Sequence, residues 1–144
     1  MPLFGEDAKV KALGSAPLFD GLSSKQLQEL AKVADELQVE AGRVLTRQGQ
    51  TGHEFFVLMD GEVEIERDGM SLGTRGAGDF IGEIAILEDV PRTATVTAKT
   101  PLTFFVLTAQ SFRSVVDRHP DVENKVLRAL ARRVLSLSDD PSLS

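Results

Sequence analysis

The middle of the chain, from about residue 35 to residue 107, is a series of short apolar segments separated by glycines. Within the segment VEIER, apolar Val63 and Ile65 alternate with charged residues, as they do in a strand with one buried face. A chain with this pattern folds into many short strands joined by turns rather than into long helices. The pattern therefore predicts a mainly β fold, in the form of a small β-sandwich or β-barrel.

Three segments predict the turns of this β region. The Asp-Gly pairs at 60–61 and 68–69 lie between apolar runs, as two-residue hairpin turns do. The segment RQGQTG at 47–52 also predicts a hairpin turn rather than a glycine-rich loop for phosphate. We therefore expect each of the three to join two strands of a hairpin.

Patterns typical of helices flank the β region on both sides. Ser23 or Ser24 can cap a helix over about 24–34, in which apolar residues recur at helical spacing. A second helix is predicted to end near His119, because the residue before a proline disfavours α-helical geometry. A last helix begins at Pro120, and its apolar stripe consists of Leu127, Leu130, Val134 and Leu137.

The chain of 144 residues has the length of one domain and can bury a hydrophobic core without disulfides. We predict a single domain over 1–144 with four parts. A helical lead-in covers about 1–34, the β region covers about 35–107, C-terminal helices cover about 108–138, and residues 139–144 form a tail.

Charge and composition argue against several classes of function. The formal net charge of −6 disfavours binding to nucleic acid and docking to anionic membranes, both of which use Lys and Arg. No apolar run approaches the roughly 20 residues of a spanning helix, and the N-terminus has no signal-peptide pattern. There are no cysteines and only two histidines, which are far apart in the sequence. We therefore expect a cytoplasmic protein with no metal, no nucleic acid and no membrane partner.

The segment GDFIGEIAILEDVPRTATVTA, residues 78–98, places a glutamate and an arginine among apolar residues. Gly82 precedes a predicted helical turn over 83–87, whose first N–H groups have no intrahelical partner and favour an anion. The guanidinium of Arg92 can hold two oxygens of a phosphate or carboxylate, and Glu83 can accept hydrogen bonds from hydroxyls. These residues predict a sugar phosphate or nucleotide ligand. Their spacing alone leaves a second interpretation open, in which Glu83 and Arg92 form an ion pair that holds a loop.

Two halves of this segment, IGEIAI at 81–86 and PRTATV at 91–96, resemble the phosphate-binding cassette of cyclic nucleotide-binding domains. That cassette has the form F-G-E-aliphatic-A-aliphatic followed by P-R-x-A-T-V, and both halves match at the expected separation. The resemblance extends over about residues 17–137. It implies a double-stranded β-helix, a jelly-roll-like β-roll, with N-terminal helices, a short cassette helix and C-terminal B and C helices.

The resemblance also implies roles for individual residues. By similarity, Glu83 accepts the ribose 2′-hydroxyl, and Gly82 lets the backbone approach the ribose. Arg92 pairs with the exocyclic oxygens of the cyclic phosphate, and the amides of Ile84 and Ala85 meet the same phosphate. The implied ligand is cAMP or cGMP, with cAMP favoured. One arginine and helix-start amides match the single negative charge of a cyclic phosphate, so no metal is expected.

Three more cassette residues complete the predicted ligand-binding set. The hydroxyl of Thr93 can contact phosphate or base, and it does not by itself decide between cAMP and cGMP. Ile81 can lie beside the ligand, as can Val63, although strand alternation favours a core position for both. Ala94 is the last member of the set.

The implied function is that of a regulatory sensor and not of an enzyme. The motifs G-x-S-x-G and H-E-x-x-H are absent, and so is a catalytic cysteine. In the family the last helix acts as a lid that moves onto the base when ligand binds, and we expect the same ligand-dependent repositioning of the last helix here. The effector is expected to be an unknown protein or a fused domain. The apolar stripe of that helix also fits a homodimer through residues 121–138. The alternative function is a degenerate β-roll that serves as a ligand-free protein-interaction module, and the intact Glu83 and Arg92 argue against it.

Overall fold

A computed structural model describes residues 3–137 of the chain. Helix α1 (Glu6–Gly14), a 3₁₀ turn (Pro17–Phe19) and helix α2 (Ser24–Val33) come first, and helices α3 (Ala109–Arg118) and α4 (Asp121–Leu137) come last. The strands between them are β1 (Asp35–Val39), β2 (Val44–Thr46), β3 (Glu54–Asp60), β4 (Val63–Arg67), β5 (Met70–Arg75), β6 (Phe80–Ile81), β7 (Thr95–Ala98) and β8 (Leu102–Thr108). The predicted tail at 139–144 lies outside the described residues. No helix within residues 3–137 is long and apolar enough to cross a membrane.

The strands form two antiparallel sheets of four strands each within the described residues. Sheet A has the order β1-β8-β3-β6, and sheet B has the order β2-β7-β4-β5. Side chains from both sheets meet in one buried apolar cluster, whose members include Phe56, Leu58, Val63, Val96 and Phe104. The two sheets thus enclose an apolar interior, and the predicted fold class, mainly β with flanking helices, is confirmed.

The hairpin predicted at 68–69 is confirmed. Strands β4 and β5 pair directly, with Arg67 opposite Met70. Between them, Asp68 and Gly69 have φ angles of 54° and 78°. Positive φ at both central residues is typical of a type I′ turn, for which Asp-Gly is a favoured sequence.

The hairpins predicted at 60–61 and 47–52 are wrong. Strand β3 belongs to sheet A and β4 to sheet B, so residues 60–61 carry the chain from one sheet to the other. Residues 47–52 likewise connect β2 of sheet B to β3 of sheet A. A turn sequence specifies local backbone angles, whereas the partner of the next strand is decided by which face it must bury.

The helices cover the outer face of sheet A through a second apolar cluster. Its largest fully buried side chains are Phe19, Phe55, Phe105 and Phe112. The rings of Phe19 and Phe55 meet edge-on with centroids 5.7 Å apart, a geometry that aromatic pairs favour. Phe55 faces the helices and Phe56 faces the interior of the roll, so the middle of β3 is buried on both faces and residues 55–59 form a continuous apolar run.

Helix α2 begins where the sequence predicts, and its cap also positions α4. The Ser23 hydroxyl accepts from Gln26 N at 3.2 Å, and the Gln26 side chain accepts from Ser23 N at 3.0 Å, which forms a capping box. Gln26 is buried, and its Nε2 donates to the Asp121 carboxylate at 2.8 Å. Lys125 Nζ donates to Gln26 Oε1 at 3.0 Å. Gln26 therefore joins the first turn of α2 to the first turn of α4.

Helix α4 buries a different face from the predicted stripe. Its most deeply buried residues are Val122, Val126 and Ala129. Leu127 is 48% exposed, and Leu130 is partly buried against the helical cluster. The side chains of the other two predicted members, Val134 and Leu137, lie outside the described part of the structure. The stripe prediction is therefore wrong at Leu127, because the smaller residues Val122, Val126 and Ala129 form the face that contacts the core.

Candidate functional site

The predicted cassette helix is a single 3₁₀ turn, Glu83–Ile86, which follows directly after β6 and Gly82. Gly82 has a left-handed backbone, with φ of 83°. A Cβ added to Gly82 would lie inside 3.0 Å of both Arg92 Nη1 and the Glu54 carbonyl oxygen. Both the backbone angle and the close approach therefore require glycine at this position.

The guanidinium of Arg92 lies in a narrow slot beside Gly82, and only 9% of its side chain is exposed. Nη2 donates to the Glu54 carbonyl oxygen at 2.9 Å and lies 3.4 Å from Glu54 Oε1. The Cζ atom is 5.9 Å from the ring centre of Phe56, within the range of a cation–π contact. On another side is Gly52, where an added Cβ would also collide with the guanidinium. We call this arrangement of Gly52, Glu54, Phe56 and Gly82 around Arg92 the arginine slot.

Burial in the arginine slot lowers the pKa of Arg92, and the Coulombic attraction and hydrogen bond of Glu54 oppose that shift. Arginine nevertheless stays protonated in proteins, so the lowered pKa reflects the cost of removing a cation from water. A partly dehydrated cation interacts with a nearby anion more strongly than an exposed one does. The slot is therefore suited to an anionic ligand group.

Backbone hydrogen bonds fix Arg92 to the connection at 47–53. Gly49 N donates to Arg92 O at 2.8 Å, and Arg92 N donates to Gln50 O at 2.9 Å. An isolated β-bridge between Thr51 and Pro91 continues this pairing. The segment RQGQTG, which the sequence predicts as a hairpin turn, is in fact the partner of the strand-like segment that carries Arg92.

A cavity of about 370 Å³ opens beside the arginine slot. Five of the eight predicted ligand-binding residues line it, namely Ile81, Gly82, Arg92, Thr93 and Ala94. Val63, by contrast, is fully buried in the cluster between the sheets. The structure thus brings the two halves of the cassette motif to one cavity. That they bind a nucleotide there stays a prediction.

The other three predicted residues, Glu83, Ile84 and Ala85, belong to the 3₁₀ turn and are not among the residues described as lining the cavity. Ile84 is 49% exposed, and Ala85 is 4% exposed. The amide of Ala85 donates to Gly82 O at 3.1 Å, the i to i+3 bond of the turn. An anion bound by this amide would therefore have to share its N–H with Gly82 or replace that bond.

Several residues of the site are not predicted by the cassette motif. Gly52 contacts Arg92 from the connection before β3, and Glu54 contacts it from the first residue of β3, and only the three-dimensional pairing reveals them. The cavity wall from sheet B includes Ile65, Arg67, Leu72 and Arg75. One signal was present in the sequence, because Arg67 continues the alternation that turns Val63 and Ile65 inward.

The lining of the cavity is cationic although the whole chain is acidic. It contains three arginines, Arg67, Arg75 and Arg92, and among the described lining residues there is no aspartate or glutamate. The remaining lining is largely apolar. No group of three or more residues with the ligand chemistry of a metal site occurs within residues 3–137. Chemically, the cavity fits an anion attached to a flat or apolar body.

Comparisons with known proteins agree with this geometry. A family model described as cyclic nucleotide-binding domain matches residues 36–119. The chain is 35% identical over 97 residues to the cGMP-dependent protein kinase egl-4 of Caenorhabditis briggsae, covering 67% of this chain and 13% of the kinase. It is 35% identical over 106 residues to the cAMP-dependent protein kinase regulatory subunit of Yarrowia lipolytica, covering 72% and 28% of the two chains. The N-terminal domain of a transcriptional regulator from Streptomyces coelicolor A3(2) superposes with a TM-score of 0.80 at 32% identity, covering 89% of this chain and 93% of that one.

The chain belongs to the cyclic nucleotide-binding domain family, since the family model matches more than half of it. The resemblance drawn from the cassette motif is thereby confirmed. Family membership supports a regulatory domain that binds a cyclic nucleotide. The chain spans less than a third of the length of the two kinase-related proteins.

Proposed function

We propose that this chain senses a cyclic nucleotide by placing its phosphate in the arginine slot. The observation that carries the proposal is the geometry of Arg92, which is buried, held by Glu54 and lines a cavity together with Gly82 and Thr93. A guanidinium already held in place loses little side-chain entropy when it binds an anion. Its charge also matches the single negative charge of a cyclic phosphate.

The remaining predicted residues receive roles in the same proposal. Glu83 accepts the ribose 2′-hydroxyl, and Gly82 allows the sugar to approach the backbone. The amides of Ile84 and Ala85 contribute to phosphate binding. Ile81, Thr93 and Ala94 contact the ligand from the cavity wall, as their position around the cavity supports.

Binding is proposed to regulate an effector through α4. The relatives include a cGMP-dependent kinase and the regulatory subunit of a cAMP-dependent kinase, each much longer than this chain. We propose that the effector is either a domain fused to this chain or a separate protein, and that the chain acts in the cytoplasm. A homodimer through residues 121–138 is a second arrangement that exposed Leu127 and Leu135 support.

We propose that the domain itself is not an enzyme. The alternative function, a ligand-free protein-interaction module, requires no preformed site for an anion. The arginine slot, with two glycines whose replacement would collide with Arg92, is an argument for ligand binding and against that alternative.

Calorimetric titration with cAMP and with cGMP tests the proposal directly. The wild-type chain is expected to release or absorb heat with at least one of the two, and Arg92→Ala is expected to weaken binding by roughly 2–5 kcal/mol, as for a buried charge that loses its partner. Glu83→Ala is expected to cost about 1 kcal/mol, because it removes hydrogen bonds to neutral hydroxyls.

The matched control is Arg43→Ala, which removes an exposed arginine just before β2 and outside the cavity lining. It is expected to leave the affinity within a factor of about two, because exposed charges are screened. Absence of binding to either nucleotide would leave the interaction module as the better hypothesis.

A further inference from the structure

A cyclic phosphate accounts for one of the three arginines that line the cavity and leaves the other two without a role. The proposed function uses Arg92 for the single negative charge, and yet Arg67 and Arg75 also line the same cavity. Both come from the inner wall of sheet B, where Arg75 pairs with Val63 and Arg67 lies at the start of the hairpin. A protein of net charge −6 thus concentrates three guanidinium groups around one cavity.

Arg67 is attached to the segment that follows the arginine slot. Its Nε donates to the Thr93 carbonyl oxygen at 2.9 Å, which fixes the guanidinium plane beside the cavity. That hydrogen bond uses one of five N–H groups, and the four on the two Nη atoms remain as further donors. Leu72, from the neighbouring strand, lines the same wall and offers an apolar surface for a flat ring.

If the phosphate binds at Arg92, the base of the nucleotide lies against the cavity wall that sheet B provides. A guanidinium is a donor only, so it prefers a base edge made of acceptors. Guanine presents the acceptors O6 and N7 on one edge, whereas adenine presents an amino donor beside N7. An arginine on this wall therefore discriminates between the two purines.

We propose that Arg67 selects guanine, with Arg75 adding positive charge at the same wall, so that the domain prefers cGMP to cAMP. The inference rests on the proposed function, since it assumes that the phosphate occupies the arginine slot. It reverses the preference for cAMP expressed in the sequence analysis. The 2-amino group of guanine plays no part in the proposed contact, which separates the role of Arg67 from any role of the Thr93 hydroxyl.

The test is calorimetric titration of the full chain with cGMP, cAMP and inosine 3′,5′-cyclic monophosphate. The inosine nucleotide keeps O6 and N7 and lacks the 2-amino group. The wild-type chain is expected to bind cGMP and the inosine nucleotide with similar affinity and cAMP about tenfold more weakly, the scale of one bidentate arginine contact. Arg67→Met, which keeps the aliphatic stem, is expected to remove most of this difference by weakening cGMP and leaving cAMP unchanged.

Two variants serve as controls. Arg67→Lys keeps the charge and loses the planar fork, and it is expected to lose most of the preference as well. Arg47→Met removes an exposed arginine that does not line the cavity, and it is expected to leave all three affinities unchanged.

The outcomes separate this inference from the proposed function. An equal loss of cAMP and cGMP binding in Arg67→Met would assign Arg67 to the phosphate and overturn the inference while the proposed function stands. A wild-type preference for cAMP, or an inosine nucleotide that binds like cAMP, would also overturn it. Absence of binding to all three nucleotides would overturn the proposed function and the inference together.

Discussion

Glu54 holds Arg92 through two different oxygens, and only one of them carries charge. The main-chain oxygen is the shorter contact, at 2.9 Å, and the carboxylate oxygen lies at 3.4 Å. The carbonyl therefore sets the position of the guanidinium, whereas the carboxylate neutralises part of its charge. In the proposed complex, the phosphate would compete with the carboxylate for the same nitrogen but would leave the carbonyl contact available.

Replacing Glu54 by glutamine is expected to tighten binding of the cyclic nucleotide. The variant keeps the main-chain contact and removes the competing charge. The Glu54 carboxylate is about half-exposed, and solvent screening limits the contribution of such an ion pair to roughly 0.2–1 kcal/mol. Calorimetry on Glu54→Gln would measure the gain, with Glu62→Gln as the control for a general loss of negative charge. Weaker binding in Glu54→Gln than in Glu62→Gln would mean that the carboxylate orients Arg92 rather than competing for it.

For individual residues, the sequence predicts the members of the cassette but not the other residues that surround Arg92. The two halves of the motif lie close together in the chain, so a local pattern is enough to identify Gly82, Glu83 and Arg92. Glu54 and Arg67 reach the same place from other strands. Strand alternation turns Arg67 toward the inner face, but no local pattern shows that either residue meets the cassette. Their role depends on the register of β3 and β4, which tertiary packing decides.

Among the elements, α2 and α4 are joined by hydrogen bonds through one buried glutamine, Gln26. The pKa of Asp121 is lowered from its ordinary 3.8 by the hydrogen bond from Gln26, and further by Lys125. A carboxylate whose folded pKa is lowered stabilises the fold above its unfolded pKa, and that contribution is lost as the pH falls through the folded pKa. The loss therefore occurs in the acid range, below pH 3.8.

Gln26→Leu is expected to move the pKa of Asp121 upward, toward its ordinary value of 3.8. The leucine fills the buried position but cannot donate to the carboxylate, so the charged form of Asp121 loses its main support. An NMR titration of the Asp121 carboxyl carbon would measure the shift. Gln28→Leu, on an exposed position of the same helix, is the control, and an equal pKa in both variants would assign the shift to Lys125 instead.

Local sequence signals predict where the helices begin and end more accurately than they predict which strands pair. Ser23 with Gln26, and the proline after His119, mark helix ends that the structure reproduces within about a residue. The strand connections at 47–52 and 60–61 could not be predicted as crossovers, because both sheets accept strands of the same composition. The face of α4 was equally undetermined, because valine, alanine and leucine alternate there in two overlapping stripes.

In the molecule as a whole, residues from both sheets form the site. Sheet A provides β6 and the slot around Arg92, and sheet B provides the wall with Arg67 and Leu72. A ligand in the cavity would therefore contact both sheets at once. The first turn of α4 is already fixed through Gln26, which leaves its later turns as the part whose position a ligand could change.

Hydrogen exchange across residues 121–137 with and without cyclic nucleotide would test this lid hypothesis. Protection is expected to rise in the later turns of α4 when ligand binds, because ordering against the site closes local openings. The first turn of α4 and all of α1 are expected to change little, and they serve as internal references. Identical protection of α4 in the two states would count against a lid.

The arginine slot limits which substitutions the chain can accept during evolution. Gly52 is required by the volume of its neighbour, since the atom an alanine would add there falls on the guanidinium of Arg92. An alanine at 52 therefore collides with the guanidinium while Arg92 is present, and that collision is removed once a small residue replaces the arginine. The two positions, 40 residues apart in the sequence, are expected to vary together. In a relative that has lost the arginine, substitutions of the glycine would no longer be selected against. A residue other than glycine at position 52 would then indicate that ligand binding has been lost.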